Sequence, residues 1–169
     1  MSTDHASKLP PFLIEPAVES DVSAIFGLVK RLAEYEKLSH EVVAQEADFQ
    51  RALFGPKPVA EALVARVAGG IVGFALYFST FSTFLGKTGI YLEDLFVEPE
   101  RRGQGIGKGL LSEVARIAQA QGCGRLEWSV LTWNQAAIDF YESLGAVRME
   151  GWRMYRLTGD ALANLGAAK

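Results

Sequence analysis

Cysteine and histidine are nearly absent from this chain of 169 residues, which holds one cysteine, Cys123, and two histidines, His5 and His40. A single cysteine excludes a disulfide framework and makes a reducing cytoplasm the simplest address. His5 lies in a polar amino-terminal stretch and His40 in a polar loop, which leaves no set of ligands for zinc and no Ser-His-Asp triad. Long hydrophobic runs are missing too: none reaches the roughly 18 residues that a membrane span requires, so no membrane partner is expected. Residues 1–11 are polar, lack the apolar centre of a signal peptide and read as a flexible tail. Positive charge is not in excess either. Lys and Arg number 17 against 20 Asp and Glu, a net charge of −3, so no nucleic-acid partner is expected.

What is present is apolar and patterned. Hydrophobic residues make up 49% of the chain, enough for a full core, and residues 12–169 read as a single domain. Phe12–Pro16 has the look of a first strand. Ser20 or Asp21 is placed to cap a helix carrying Ile25, Leu28, Val29, Leu32 and Tyr35 at helical spacing. A shorter helix is expected over 45–54, then strands over 60–67 and 71–78 joined by a turn at Gly69-Gly70. A loop over 79–89, a central strand over 91–97 and a long helix over 105–121 follow. A strand over 125–131 and a helix over 134–144 ending at Gly145 come next. Closing strands over 146–149 and 152–157 and a helical turn over 160–165 complete the reading. Strands and helices alternate without a clean βαβ repeat. The fold class is α/β with a central mixed, mostly antiparallel sheet flanked by helices.

The segment Arg102-Gly103-Gln104-Gly105-Ile106-Gly107-Lys108 carries the most chemistry. It follows the central strand and opens the long helix. Such a turn leaves main-chain N–H groups free at a helix N-terminus, where the dipole favours an anion, and glycine lets a ligand approach the backbone. Arg102 and Lys108 add positive charge at its rim. The spacing is not that of a P-loop, because Arg102 occupies the first glycine position and Gly109 follows the lysine in place of a hydroxyl. Nor is it G-x-G-x-x-G, since the sixth position from Gly103 is Lys108. The pattern that fits is R-x-x-G-x-G.

That pattern resembles the pyrophosphate-binding turn of the GCN5-related N-acetyltransferases. The segments Leu32-Ala-Glu-Tyr-Glu-Lys-Leu38, Tyr91-Leu-Glu-Asp94, Trp133-Asn134 and Phe140-Tyr141, with Gly145-Ala146 and Glu150-Gly-Trp152, resemble the diamine N-acetyltransferase branch, which includes spermidine/spermine and thialysine enzymes. The resemblance implies direct transfer of acetyl from acetyl-CoA to a primary amine, in a homodimer. The donor would lie along the backbone of Leu95, Phe96 and Val97. Its pyrophosphate would sit on Arg102, Gly103, Gln104, Gly105, Ile106, Gly107 and Lys108, and Asn134, Gln135, Ala136 and Ala137 would border it. Tyr35, Glu36, Glu93, Trp128 and Glu150 would line the amine site, joined by Asp94, Glu127 and Ser129. Where polyamine enzymes carry an acidic residue and a tryptophan, this chain has Ser82 and Phe84, which favours short acceptors over spermine. Tyr35-Glu-Lys-Leu-Ser39 is closer to the thialysine type.

A lysine-like amine has a pKa of about 10.4 and attacks a thioester only after losing its proton. The site must therefore attract a cation and accept a proton, and carboxylates do both. Glu93 and Asp94 are adjacent on a strand, so regular geometry turns them to opposite faces and only one meets the substrate unless a bulge intervenes. The resemblance favours Glu93 as the water-mediated base and Tyr141 as the acid for the leaving thiolate. Protein lysine or N-terminal acetylation, and a non-catalytic acyl-CoA-binding module, remain alternative readings. No metal is implied.

Overall fold

A computed structural model describes residues 12–167; the expected tail over 1–11 lies outside the described residues. The described residues form two compact units, divided between Ser129 and Val130.

The first unit is built on a five-stranded sheet in sequential order, β1 Phe12–Pro16, β2 Glu61–Val67, β3 Gly70–Ser82, β4 Lys87–Val97 and β5 Leu126–Trp128. The first four strands are antiparallel neighbours and β5 runs parallel to β4, which is the mixed, mostly antiparallel sheet expected. Two helices, α1 Val22–Tyr35 and α2 Glu46–Phe54, cover one face. Ile25, Leu28 and Leu53 pack there on Ala62, Val64, Phe74 and Phe96. The third helix, α3 Ile106–Ala120, lies against β1 to β4 and presents Gly109 to β1. A Cβ at Gly109 would come within 2.6 Å of Ile14 Cδ1, so the helix rides this close only because the residue has no side chain.

The sheet differs from the sequence reading in three places. The segment expected as a loop over 79–89 is mostly strand: β3 and β4 run on to a tight tip, pairing Ser82 with Lys87. The turn between β2 and β3 uses Ala68 and Gly69, both at positive φ, and Gly70 already belongs to β3. Asp21 does not cap α1 through its side chain. Its carboxylate accepts the Val18 N–H (3.0 Å) and two bonds from Arg66 Nη2 (2.8 Å each). Burial alone would raise the Asp21 pKa, but these donors hold it below the ordinary value.

The second unit holds α4 Gln135–Ser143 and α5 Gly159–Ala167. Gly145 ends α4 in the left-handed conformation (φ 87°), as its position suggested. The closing strands expected over 146–149 and 152–157 do not form, and Cα pairing is confined to the five strands of the first unit among the described residues. Val147, Met149, Trp152, Met154 and Tyr155 are instead exposed.

Candidate active site

β4 feeds the site, and its geometry turns on one extra residue. Leu76 of β3 stands opposite Asp94 and Tyr77 opposite Leu92, so Glu93 is the inserted residue of a bulge. This is the exception to strict alternation that would allow both acids to reach one site. Asp94 shares the face of Phe96, two residues on, and is half-buried beneath α1. Glu36, the residue after α1, closes on the same cluster. Burial first, then the charges of Glu93 and Glu36, push the Asp94 pKa up from 3.8 to about 6. Burial likewise raises Glu36. Near neutral pH the three carboxylates hold a surplus of negative charge with no cation paired to any of them among the described residues. Such a cluster of anions attracts a cation.

The end of α1 is set by an unusual cap. Lys37 sits at φ 60°, with Lys37 N–H on the Glu34 carbonyl (3.0 Å) and Leu38 N–H on the Ala33 carbonyl (2.7 Å). These paired bonds form a Schellman motif with lysine at the position that glycine usually fills. A left-handed lysine costs on the order of 1 kcal/mol. The Tyr-Glu-Lys-Leu segment is therefore a helix stop that aims Glu36, a structural meaning the sequence reading missed.

Beyond Leu92, β4 loses its partner on one side. The β5 ladder ends at Trp128 opposite Leu92, and among the described residues no strand pairs with Leu95 to Val97 on that edge. An open strand edge accepts an extended ligand by main-chain hydrogen bonds. Immediately downstream, Gly105 caps α3 in the left-handed region (φ 83°), and the first main-chain bond closing back on the turn runs from Gly109 N–H to the Gly105 carbonyl (2.9 Å). The N–H groups of Ile106, Gly107 and Lys108 are left at the open end of the helix, ready for an anion. A Cβ on Gly107 would meet only Val97 Cγ2, at an ordinary 3.8 Å. The open edge and the helix end are consecutive, as a ligand with a polyamide arm and a pyrophosphate requires. Arg102 departs from the expected rim charge. Its guanidinium lies 4.4 Å from the Tyr35 ring centroid and 5.7 Å from that of Phe96, and its Nε donates to the Val97 carbonyl (3.1 Å).

On β5, Glu127 is paired with Arg125 Nε at 2.7 Å, which takes it out of the free-acid set. Ser129 Oγ and Tyr91 Oη are 2.7 Å apart, and Trp128 is half-buried. Ser82 is buried at a strand end, its Oγ accepting the Leu85 N–H (3.3 Å), while Phe84 is 95% exposed at the hairpin tip. Six residues of β4 separate that tip from Glu93, about 20 Å at strand rise. Ser82 and Phe84 of the same chain therefore do not belong to the carboxylate cluster.

The remaining expected residues stand on the second unit. Asn134 caps α4, its Oδ1 accepting the Ala137 N–H at 3.3 Å. Gln135 Nε2 donates to Asp139 Oδ1 (2.6 Å). Tyr141 is half-buried on α4, its ring 5.3 Å from that of Phe140. Glu150 is exposed in a turn. Cys123 is half-buried, its sulfur 3.5 Å from Thr88 Oγ1.

The family model "Acetyltransferase (GNAT) family" matches residues 28–146. The chain is 40% identical over 164 residues to a thialysine N-epsilon-acetyltransferase of Bos taurus, covering 90% of this chain and 96% of that protein. It is 32% identical to an L-ornithine N5-acetyltransferase of Arabidopsis thaliana, covering 88% and 85%. Among solved structures, an integron cassette protein from the mobile metagenome of V. cholerae superposes with a TM-score of 0.79 at 28% identity, covering 93% of this chain and 98% of that one.

Proposed function

The chain belongs to the GNAT acetyltransferase family, and on that premise we propose that its preferred acceptor is the terminal amine of a short lysine-like amino acid. It is an acetyl-CoA-dependent N-acetyltransferase that moves acetyl to the primary amine of a lysine-like or polyamine-class acceptor. The observation that carries the acceptor reading is the cluster of Glu36, Glu93 and Asp94, a compact anionic pocket on the first unit. Relatives at 40% and 32% identity are named for thialysine and L-ornithine, both amino acids with a terminal amine, and another at 34% identity is named for spermidine/spermine.

In this reading Glu36 and Asp94 draw in the ammonium, and Glu93 takes its proton through water. A carboxylate raised toward neutrality accepts a proton more readily than an ordinary one, so the crowding of Asp94 by Glu93 suits the pair to this task. The amine nitrogen forms a bond to the thioester carbon and sheds its remaining excess proton to water, and the carbon–sulfur bond breaks. The Tyr141 hydroxyl gives its proton to the departing thiolate and regains one from water. Leu95 to Val97 offer the open strand edge to the pantetheine arm, while Gly103 to Lys108 hold the pyrophosphate and Asn134 to Ala137 border the donor. Tyr35, Trp128 and Ser129 shape the acceptor side, and Glu150 adds a further anion there.

We also propose that the enzyme is a homodimer whose chains each form one working acetyltransferase domain in a reducing cytoplasm. Phe81, Phe84 and Leu85 at the hairpin tip, and Val147, Met149, Trp152, Met154 and Tyr155, are exposed apolar side chains that a second copy of the chain would cover. Sedimentation equilibrium should give twice the chain mass; a monomer at micromolar concentration would contradict this. Release of free thiol from acetyl-CoA in the presence of a panel of amines tests the activity. Turnover with peptides alone would favour protein acetylation instead.

A further inference from the structure

Arg102 lies in the glycine turn, yet its contacts point toward the acceptor side of the molecule. Its guanidinium carbon lies over the Tyr35 ring, 4.4 Å from the centroid, at the last residue of α1, and its Nε donates to the carbonyl of Val97, the last residue of β4. Among the described residues no carboxylate pairs with it. The C-terminal end of α1 carries the negative pole of a helix and delivers Glu36 to two further acids. Left alone, that end would be pushed off the cluster by like charge. It is already held in a strained stop by Lys37 at φ 60°. A cation laid over Tyr35 offsets the pole, and a planar guanidinium does so while still bonding in its own plane to β4.

We propose that Arg102 is a positioning residue that latches the Tyr35–Glu36 end of α1 to the exit of β4, so that the pyrophosphate turn and the acceptor carboxylate are set as one piece. The latch rests on the acetyl-CoA reading above. It assigns Arg102 a task apart from attraction of the donor's phosphates, and it makes donor affinity depend on Tyr35, a residue of the acceptor side.

Calorimetric titration of acetyl-CoA into the full chain, with no acceptor present, tests the coupling. Arg102→Ala should weaken binding about tenfold and raise the acceptor KM severalfold. Tyr35→Leu should weaken donor binding about threefold to fivefold alone, and add almost nothing in the Arg102→Ala background. Tyr35→Phe, which keeps the ring, should lose less donor affinity than Tyr35→Leu. Arg102→Lys keeps the charge but not the planar stack, and should recover less than half of the loss. Wild-type donor affinity in folded Tyr35→Leu, additive losses in the double variant, or full recovery in Arg102→Lys would each overturn the latch and leave Arg102 a simple phosphate charge. If the wild-type chain itself fails to bind acetyl-CoA, the functional reading falls and the latch with it.

Discussion

The two units of the chain differ in how they support the residues proposed to act in the reaction. Every buried core residue, from Val22 to Ala118, lies in the first unit, beneath the carboxylate cluster and the glycine turn. Among the described residues the second unit buries none, although it supplies Asn134 and Tyr141. The carboxylate cluster and the glycine turn stand on a five-stranded sheet with a buried core. Tyr141, the proposed proton donor, stands on α4, whose first turn Asn134 caps, with its ring beside that of Phe140. On that account, changes at Glu36 and in the glycine turn should alter affinity, and a change at Tyr141 should alter turnover.

Tyr141→Phe should give the largest effect. It removes one oxygen and keeps the ring, so kcat should fall by about 10²–10⁴-fold with donor affinity unchanged. Wild-type kcat in a variant whose chemical step limits turnover would reduce Tyr141 to a packing residue.

Gly107→Val comes next, because it places a branched side chain where the pyrophosphate is expected. A tenfold or greater loss of acetyl-CoA affinity by calorimetry is the expected result. Gly107 is a cleaner probe than Gly105, whose φ of 83° makes any side chain a strain on the fold itself. Undiminished affinity in folded Gly107→Val would move the phosphate elsewhere.

Glu36→Gln should raise the acceptor KM by roughly three- to tenfold and spare the donor, since a half-buried charge contributes about 1 kcal/mol to holding a cation. An unchanged KM for every accepted amine would break the acidic-pocket account.

The smallest effect is on stability and has a definite sign. Asp94 binds its proton more tightly in the folded chain than in the unfolded one, because its pKa rises from 3.8 to about 6 on folding. Its favourable contribution is therefore full below about pH 4 and is lost as pH climbs through about 6. At pH 8 the ionised group destabilises the fold by on the order of 1 to 3 kcal/mol. Asp94→Asn should melt higher than wild type at pH 8, with the gain vanishing near pH 4. A gain that persists at pH 4 would show that packing, not charge, is responsible.

Much of this was legible before the fold was known. The R-x-x-G-x-G turn, the helix it opens and the long apolar strand before it follow from local rules, and α1, α2, β2 and α3 fall within a residue or so of their expected bounds. What local rules could not supply was register. Whether Glu93 and Asp94 share a site depends on which residue of β3 lies opposite each, a long-range fact that placed the bulge between Leu76 and Tyr77. The same limit hid Arg102, whose partner Tyr35 is remote in sequence, and Asp21, whose partner is Arg66 rather than its own helix. The residues 146–157 alternate well enough for strands, but a strand also needs an edge to pair with, and pattern alone does not provide one.

The acceptor itself is the most direct test. Steady-state kcat/KM should be measured for thialysine, lysine, ornithine, a short diamine and spermine, at saturating acetyl-CoA, by release of free thiol. The compact three-carboxylate pocket predicts that the amino acids with a terminal amine exceed spermine by at least tenfold. A higher kcat/KM for spermine than for each of the short amines would contradict it.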